Sequence, residues 1–316
     1  MRQAGIAIAV AAILACAPAE QVAGPSERPA PSRTQEAVSG GTAGAMPSPA
    51  PSEDVLLYAV GDIASCRVTA DERVAALLAR RRGTIAILGD AVYDRGTRAE
   101  YRECFDPAWG PLRARLRPAP GNHDYQTPGA AGYFDYFGRR AGPSGKGWYR
   151  HDLGEHWRVI ALNSNCVAVG GCETSSPQGR WLARTLATSG QRHILAYWHA
   201  PLFSSGRHGP NPVVRPLWEA LQRAGADIVL AGHDHSYERF APQDADGRRR
   251  PGGIRQFTVG TGGYSHYAFA RRPLATTEVR DSSSFGVLRL RLQPDGYRWR
   301  FVPATGSFTD RGHQAL

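Results

Sequence analysis

Five short segments of this chain carry side chains suited to holding metal ions. They are Gly61-Asp62, Gly89-Asp90-Ala91-Val92-Tyr93, Gly121-Asn122-His123-Asp124, Ala196-Tyr197-Trp198-His199 and Gly232-His233-Asp234-His235. Carboxylate, phenol and amide oxygens suit hard cations, and imidazole suits iron, zinc and manganese. Each segment alone is ordinary. A Gly-Asp dipeptide is a common turn, a lone Tyr93 reads as a packed aromatic, and His233 and His235 are simply two residues that would share one face of a strand. All five in this order, each after an apolar run, describe a site for two metal ions. Two ions roughly 3.5–4 Å apart can clamp the attacking and leaving oxygens of an in-line displacement. Asp90, in the richest segment, is the natural carboxylate to bridge them.

The elements that must position these residues are legible as apolar runs. Val55 to Val60, Thr84 to Leu88, Leu116 to Pro120, Ile194 to Trp198 and Ile228 to Ala231 read as buried strands. Their ends deliver Asp62, Asp90, Asn122, His199 and His233, and Trp157 to Leu162 is a further strand. Thr69-Ala70-Asp71-Glu72 has capping-box spacing ahead of a helical face of Val74, Leu77 and Leu78. Pro177 fits the first turn of a helix through Thr188 capped by Ser176, and Asn211-Pro212 opens a helix whose face is Val214, Leu217, Trp218 and Leu221. Near the C-terminus Leu288, Leu290 and Leu292 alternate with arginines. A turn at Pro294-Asp295-Gly296 follows, then Tyr297, Trp299 and Phe301 alternate on the way back, a hairpin. From the pattern itself the fold class is α/β with an antiparallel end, and no internal repeat is visible.

With these motifs the chain resembles the metallophosphoesterase (calcineurin-like phosphoesterase) superfamily over roughly residues 54–265. Two positions point to its purple acid phosphatase-like branch. Many relatives carry Asp-x-His in the first segment, whereas this chain has Asp62-Ile63-Ala64. Instead Tyr93 stands three residues after Asp90, as in the Gly-Asp-x-x-Tyr of purple acid phosphatases. The resemblance implies metal one on Asp62, Asp90, Tyr93 and His235, and metal two on Asp90, Asn122, His199 and His233. It also implies two packed mixed β-sheets flanked by helices, a four-layer sandwich. Tyr93 and Asp62 would favour Fe(III) at metal one, with Fe, Zn or Mn at metal two. Ala64 stands where the family's first segment often ends in glycine.

The implied activity is hydrolysis of phosphate monoesters by water activated between the metals. By the same resemblance His123 contacts the substrate beside Asn122 or protonates the leaving oxygen, with Asp124 either orienting it or acting as a structural carboxylate. His208, on the Gly/Ser-rich loop after His199, either lines the substrate pocket or is an exposed histidine. Arg239 either contacts substrate phosphate or pairs with a structural carboxylate. Two other readings stand beside this one: a phosphodiesterase or phospholipase using the same centre, and a surface-tethered binding protein that has kept the metals only structurally. The full donor set argues against the last.

The N-terminus reads as an export signal. Arg2 precedes an apolar run from Ile6 to Ala15, too short to span a bilayer. Ile13-Leu14-Ala15-Cys16 resembles a bacterial lipobox, which would put a lipid on Cys16 and anchor the protein to a membrane; simple cleavage near Ala17 or Ala19 is the alternative. Residues 17–52 are rich in Pro, Ser, Ala and Gly and have the composition of a disordered tether. The expected division is 1–16 signal, 17–52 tether and 53–316 catalytic domain, in a periplasmic, cell-surface or secreted protein. Four cysteines remain after Cys16, and an even number in an exported chain suggests disulfides. Three pairings are possible; Cys66 with Cys104 and Cys166 with Cys172 is the favoured one. The formal net charge is +10, with Lys146 the single lysine. The arginine excess either attracts phosphorylated substrates or reflects an arginine-favouring base composition. No nucleic-acid-binding module is present.

Overall fold

The structure is a computed structural model that describes residues 55–190 and 192–316. The expectations for Cys16 and for residues 17–52 lie outside the described residues. The strands are β1 (Val55–Val60), β2 (Thr84–Leu88), β3 (Leu116–Ala119), β4 (Tyr149–Leu153), β5 (Trp157–Ala161), β6 (His193–Tyr197) and β7 (Ile228–Ala231). They continue with β8 (Tyr237–Phe240), β9 (Arg255–Val259), β10 (Thr277–Asp281), β11 (Gly286–Gln293), β12 (Gly296–Pro303) and β13 (Arg311–Ala315). One mixed sheet has the order β13-β12-β11-β1-β2-β3, the other β10-β8-β9-β7-β6-β5-β4.

Burial explains the two kinds of strand pattern. In β1, Leu57 and Ala59 enter the core between the sheets, while Tyr58 and Val60 enter a second core under the helices Ala70–Ala79 and Ala131–Phe137. A strand buried on both faces reads as an unbroken apolar run. In β12, Tyr297, Trp299 and Phe301 face inward while Arg298 and Arg300 are exposed, so that strand alternates. A third core, containing Leu182, Leu217, Trp218 and Leu221, packs the helices Pro177–Ala187 and Arg215–Arg223 onto the second sheet. The architecture is therefore helix, sheet, sheet, helix, the expected four layers.

The helix starts follow the expected signals in part. The Ser176 hydroxyl accepts from Gly179 N at 3.0 Å as expected. Asn211 accepts from Val213 N, but a short 3-10 turn, Pro212–Val214, precedes the helix. Thr69 stands at the N-cap without a side-chain bond. A capping box forms instead at Thr97, where Glu100 returns a bond to Thr97 N at 2.8 Å and also accepts from Asp94 N at 2.7 Å. That glutamate fixes the loop immediately after Tyr93. The disulfides are Cys66–Cys104 and Cys166–Cys172, the favoured pairing. The first ties the loop beyond Asp62 to the helical segment beyond Tyr93.

Candidate metal centre

β1, β2 and β3 run parallel, as do β5, β6, β7 and β9. The residues just past five of these strands meet at one edge of the sandwich. Local backbone geometry turns them inward. Among the described residues, the non-glycine residues with positive φ are Asp62 (61°), Asp90 (46°), His233 (73°) and Ala130 (50°). Three of the four belong to the proposed ligand set. Such conformations cost of order 1–3 kcal/mol each and gather at functional sites.

Two groups of donor atoms result, sharing one carboxylate. In the first, the Tyr93 hydroxyl lies 2.8 Å from Asp62 Oδ1, 3.1 Å from Asp90 Oδ2 and 3.1 Å from His235 Nε2. In the second, His199 Nε2 lies 3.2 Å from Asp90 Oδ2, 3.0 Å from Asn122 Oδ1 and 3.2 Å from His233 Nδ1. Asp90 Oδ2 is common to both, and its Oδ1 accepts from His123 N at 2.9 Å. Asp62, Asp90 and His199 have donor atoms within 4.8 Å of one another, all three buried.

The chemistry of this donor set fits cations. His199 Nδ1 sits 2.8 Å from Leu88 O, which takes its ring proton and leaves the Nε2 lone pair facing two oxygens and a second imidazole nitrogen. Without a metal, a proton serves instead: burial pulls the His199 pKa down, but Asp90 outweighs it and lifts the value to about 9. Burial pushes Asp62 up to about 7, and the neighbouring Asp90 charge adds to it. Burial acts the same way on Asp90, but the His199 cation wins and holds that carboxyl below the ordinary range. Burial, reinforced by the His199 charge, lowers both His233 and His235 to about 3, so both present neutral imidazoles. Burial and the two aspartates keep the Tyr93 phenol protonated; a bound cation would have to displace that proton.

Around these groups lies a layer that holds them. Ser265 Oγ is 2.6 Å from His235 Nδ1. Tyr264 stacks on Tyr93 with ring centres 3.7 Å apart, and Tyr267 stacks on His235 at 4.1 Å. These three follow Gly262-Gly263 beyond β9, and the sequence reading missed them. Their available signal was a Gly-Gly after an apolar run, the same punctuation that precedes the ligand segments. His123 reaches the site, with its ring 4.5 Å from that of Tyr93. Its Nδ1 is 2.6 Å from Asp94 O, so the group that orients it is this carbonyl and not Asp124. Asp124 accepts instead from Tyr101 Oη at 2.6 Å and Gly121 N at 2.8 Å, and so holds the turn that carries Asn122. His208 is exposed at the rim with its ring 4.4 Å from that of His233, on a loop pinned by Asp234 to His208 N at 2.8 Å. Arg239 departs from the substrate-contact expectation. It is buried under Trp299 and ion-paired to Asp310 at 2.7 Å and to Glu278, so its charge is spent inside the fold.

Comparison with known proteins agrees with this geometry. The Calcineurin-like phosphoesterase profile matches residues 55–237. Purple acid phosphatase 21 of Arabidopsis thaliana is 33% identical over 132 residues, covering 38% of this chain and 29% of that protein. The 3',5'-cyclic adenosine monophosphate phosphodiesterase CpdA of Escherichia coli K12 is 32% identical over 154 residues, 48% of this chain and 50% of that protein. The chain thus spans half or less of these relatives' length. In solved structures, the purple acid phosphatase PPD1 from yellow lupin seeds superposes with a TM-score of 0.70 at 17% identity, over 84% of this chain and 55% of that one. That likeness is one of fold, and the profile match covers more than half of the sequence. The chain belongs to the calcineurin-like phosphoesterase family.

Proposed function

We propose that this chain hydrolyses phosphate monoesters at a centre of two metal ions. The observation that carries the reading is the position of Asp90 Oδ2, 3.1 Å from Tyr93 Oη and 3.2 Å from His199 Nε2, where the two donor groups meet. Asp62, Tyr93 and His235 would complete one coordination sphere, and Asn122, His199 and His233 the other. Metal ions held there would supply Lewis acidity and a nucleophile at neutral pH. The phenol oxygen of Tyr93 favours Fe(III) in the first sphere; Fe, Zn or Mn suits the second. His123, with Nδ1 fixed on Asp94 O, keeps Nε2 for the leaving oxygen or a phosphoryl oxygen. His208, exposed beside His233, would contact the substrate phosphate. Two disulfides fit an oxidising compartment outside the cytoplasm.

A second reading, hydrolysis of diesters, is favoured by the similarity to CpdA, whose name records a cyclic diester. The test is turnover of p-nitrophenyl phosphate against bis(p-nitrophenyl) phosphate by protein loaded with iron, manganese or zinc. Faster monoester turnover is the expected result. A reversed preference installs the second reading, and no turnover of either by the fully loaded protein supports a binding protein instead.

Tyr93→Phe tests the assignment of the first sphere. A phenolate on Fe(III) absorbs visible light, so iron-loaded protein should be coloured. The substitution removes the oxygen and keeps the stack on Tyr264. Colour should vanish and iron should bind at least about tenfold more weakly, in the range seen when supporting groups of metal sites are lost, while the far-ultraviolet circular dichroism is unchanged. Retained colour and iron content would remove Tyr93 from the ligand set.

A further inference from the structure

A second concentration of polar groups lies at the open edge of the sandwich, away from the metal centre. β3 and β4 are the end strands of the two sheets, and Tyr149 Oη on β4 donates to Pro118 O on β3 at 2.9 Å. Beside them is a cavity of about 440 Å³ whose lining includes Arg117, Arg139, Arg140, Tyr149, Arg150 and His151. No carboxylate lines it. Asp152, next along β4, is ion-paired to Arg158 at 2.9 Å, and its charge also reaches Arg150 and His151 without forming an ion pair to either. Among the described residues, the Arg117 guanidinium donates to the carbonyls of Ala114 and Leu116 and to no carboxylate. Among the described residues, Arg139, Arg140 and Arg150 form no ion pair, and both ring nitrogens of His151 lack a hydrogen-bond partner.

Elsewhere the fold neutralises its buried arginines. Arg158, Arg239 and Arg255 each meet an aspartate or glutamate. The four guanidiniums here are exposed or half-buried; gathered around one cavity with no carboxylate in its lining they repel one another, and a multiply charged anion would reverse the sign of that interaction. The planar guanidinium fork matches phosphate oxygens in pairs. The volume lies within the roughly 300–1,000 Å³ of small-molecule sites. Arg117 is near the start of β3 while Asn122 follows its far end. The cavity and the metal centre therefore lie toward opposite ends of β3.

We propose that this cavity is a second anion site, distinct from the metal centre, that takes a small molecule or headgroup bearing two or more phosphates. The test titrates metal-loaded protein with methylenediphosphonate, whose P–C–P bridge resists hydrolysis, by calorimetry. Arg139→Ala/Arg140→Ala/Arg150→Ala should remove one class of binding sites or weaken it at least tenfold, leaving p-nitrophenyl phosphate turnover within twofold of the parent. Arg139→Lys/Arg140→Lys, which keeps charge and loses the fork, should weaken binding by less. Sedimentation with cardiolipin vesicles separates the sources. Vesicle binding lost in the triple variant assigns the phosphates to a lipid headgroup, and loss of diphosphonate binding alone assigns them to a free molecule. An unchanged isotherm in the triple variant overturns the proposal, as does an equal loss from Arg298→Ala/Arg300→Ala on the exposed face of β12.

Discussion

Asp90→Ala should abolish phosphoester hydrolysis, lowering kcat by at least about a thousandfold, the scale set by removing one well-placed electrostatic group from a buried site. The expected loss is larger than for any other single candidate ligand because Asp90 Oδ2 faces both donor groups. Metal content measured on the purified variant should fall from two equivalents to one or fewer. The fold should survive, since the hydrogen bonds lost run to His123 N, Tyr93 Oη and His199 Nε2, all within the site. Asp90→Asn is the companion variant: it keeps the shape and the bond from His123 N while losing the charge. A variant that retains two tight metals and near-normal turnover would show that the bridge is elsewhere.

Gly121→Ala should damage the same centre without touching a ligand. A β-carbon there would lie 2.0 Å from Asp90 Oδ1 and 2.3 Å from Asp90 N, closer than any packed pair of atoms. Either the turn carrying Asn122 or the loop carrying Asp90 must move. A displacement of about 1 Å in a catalytic constellation costs on the order of a hundredfold in rate. Overpacking adds about 1–3 kcal/mol of destabilisation. Steady-state kinetics and thermal melts of the metal-loaded variant check both halves. Parental kcat with a parental melting temperature would mean that the approach of Gly121 to Asp90 is not as close as described.

What could be read from the chain followed the physics of burial. Strands β1, β2 and β7 are covered on both faces, so unbroken apolar runs marked them to the residue. The hairpin of β11 and β12 has one wet face, and its alternation was equally plain. Strands β8, β10 and β13 gave no such signal. β8 is Tyr-Glu-Arg-Phe and wholly buried, its charges satisfied by Ser205, Asp310 and Glu278 from distant parts of the chain. Buried charge with remote partners looks like a surface loop until the partners are known, which is why the sequence left Arg239 between a substrate contact and a structural ion pair, the second of which it forms. β13, Arg-Gly-His-Gln-Ala, is an edge strand joined to β12 through its backbone. Four of the five ligand segments were legible because they pair a donor side chain with a glycine at a strand end; the fifth, at His199, has only its apolar run. Asp124 shows the limit of adjacency. It neighbours His123 in sequence, yet its carboxylate turns to Tyr101 and Gly121 while the Asp94 carbonyl takes the histidine ring.

The placement of β1 bears on the order in which the molecule assembles. β1 lies between β2, which follows it closely in the chain, and β11, whose register joins Val55 to Leu292 and Ala59 to Leu288. The strand that delivers Asp62 therefore acquires its second neighbour only after β11 has been made. Pairings between such distant segments close slowly, because the entropy of a long loop is lost before the contacts reward it. His233 and His235 also come late, after β7. Neither donor group is complete until His233 and His235 have been made, and the strand carrying Asp62 lacks its β11 neighbour until later still, in a hairpin that contains no candidate ligand. A centre built at the end of β1 would therefore depend for its firmness on a strand pair that closes only after all its own donors are in place.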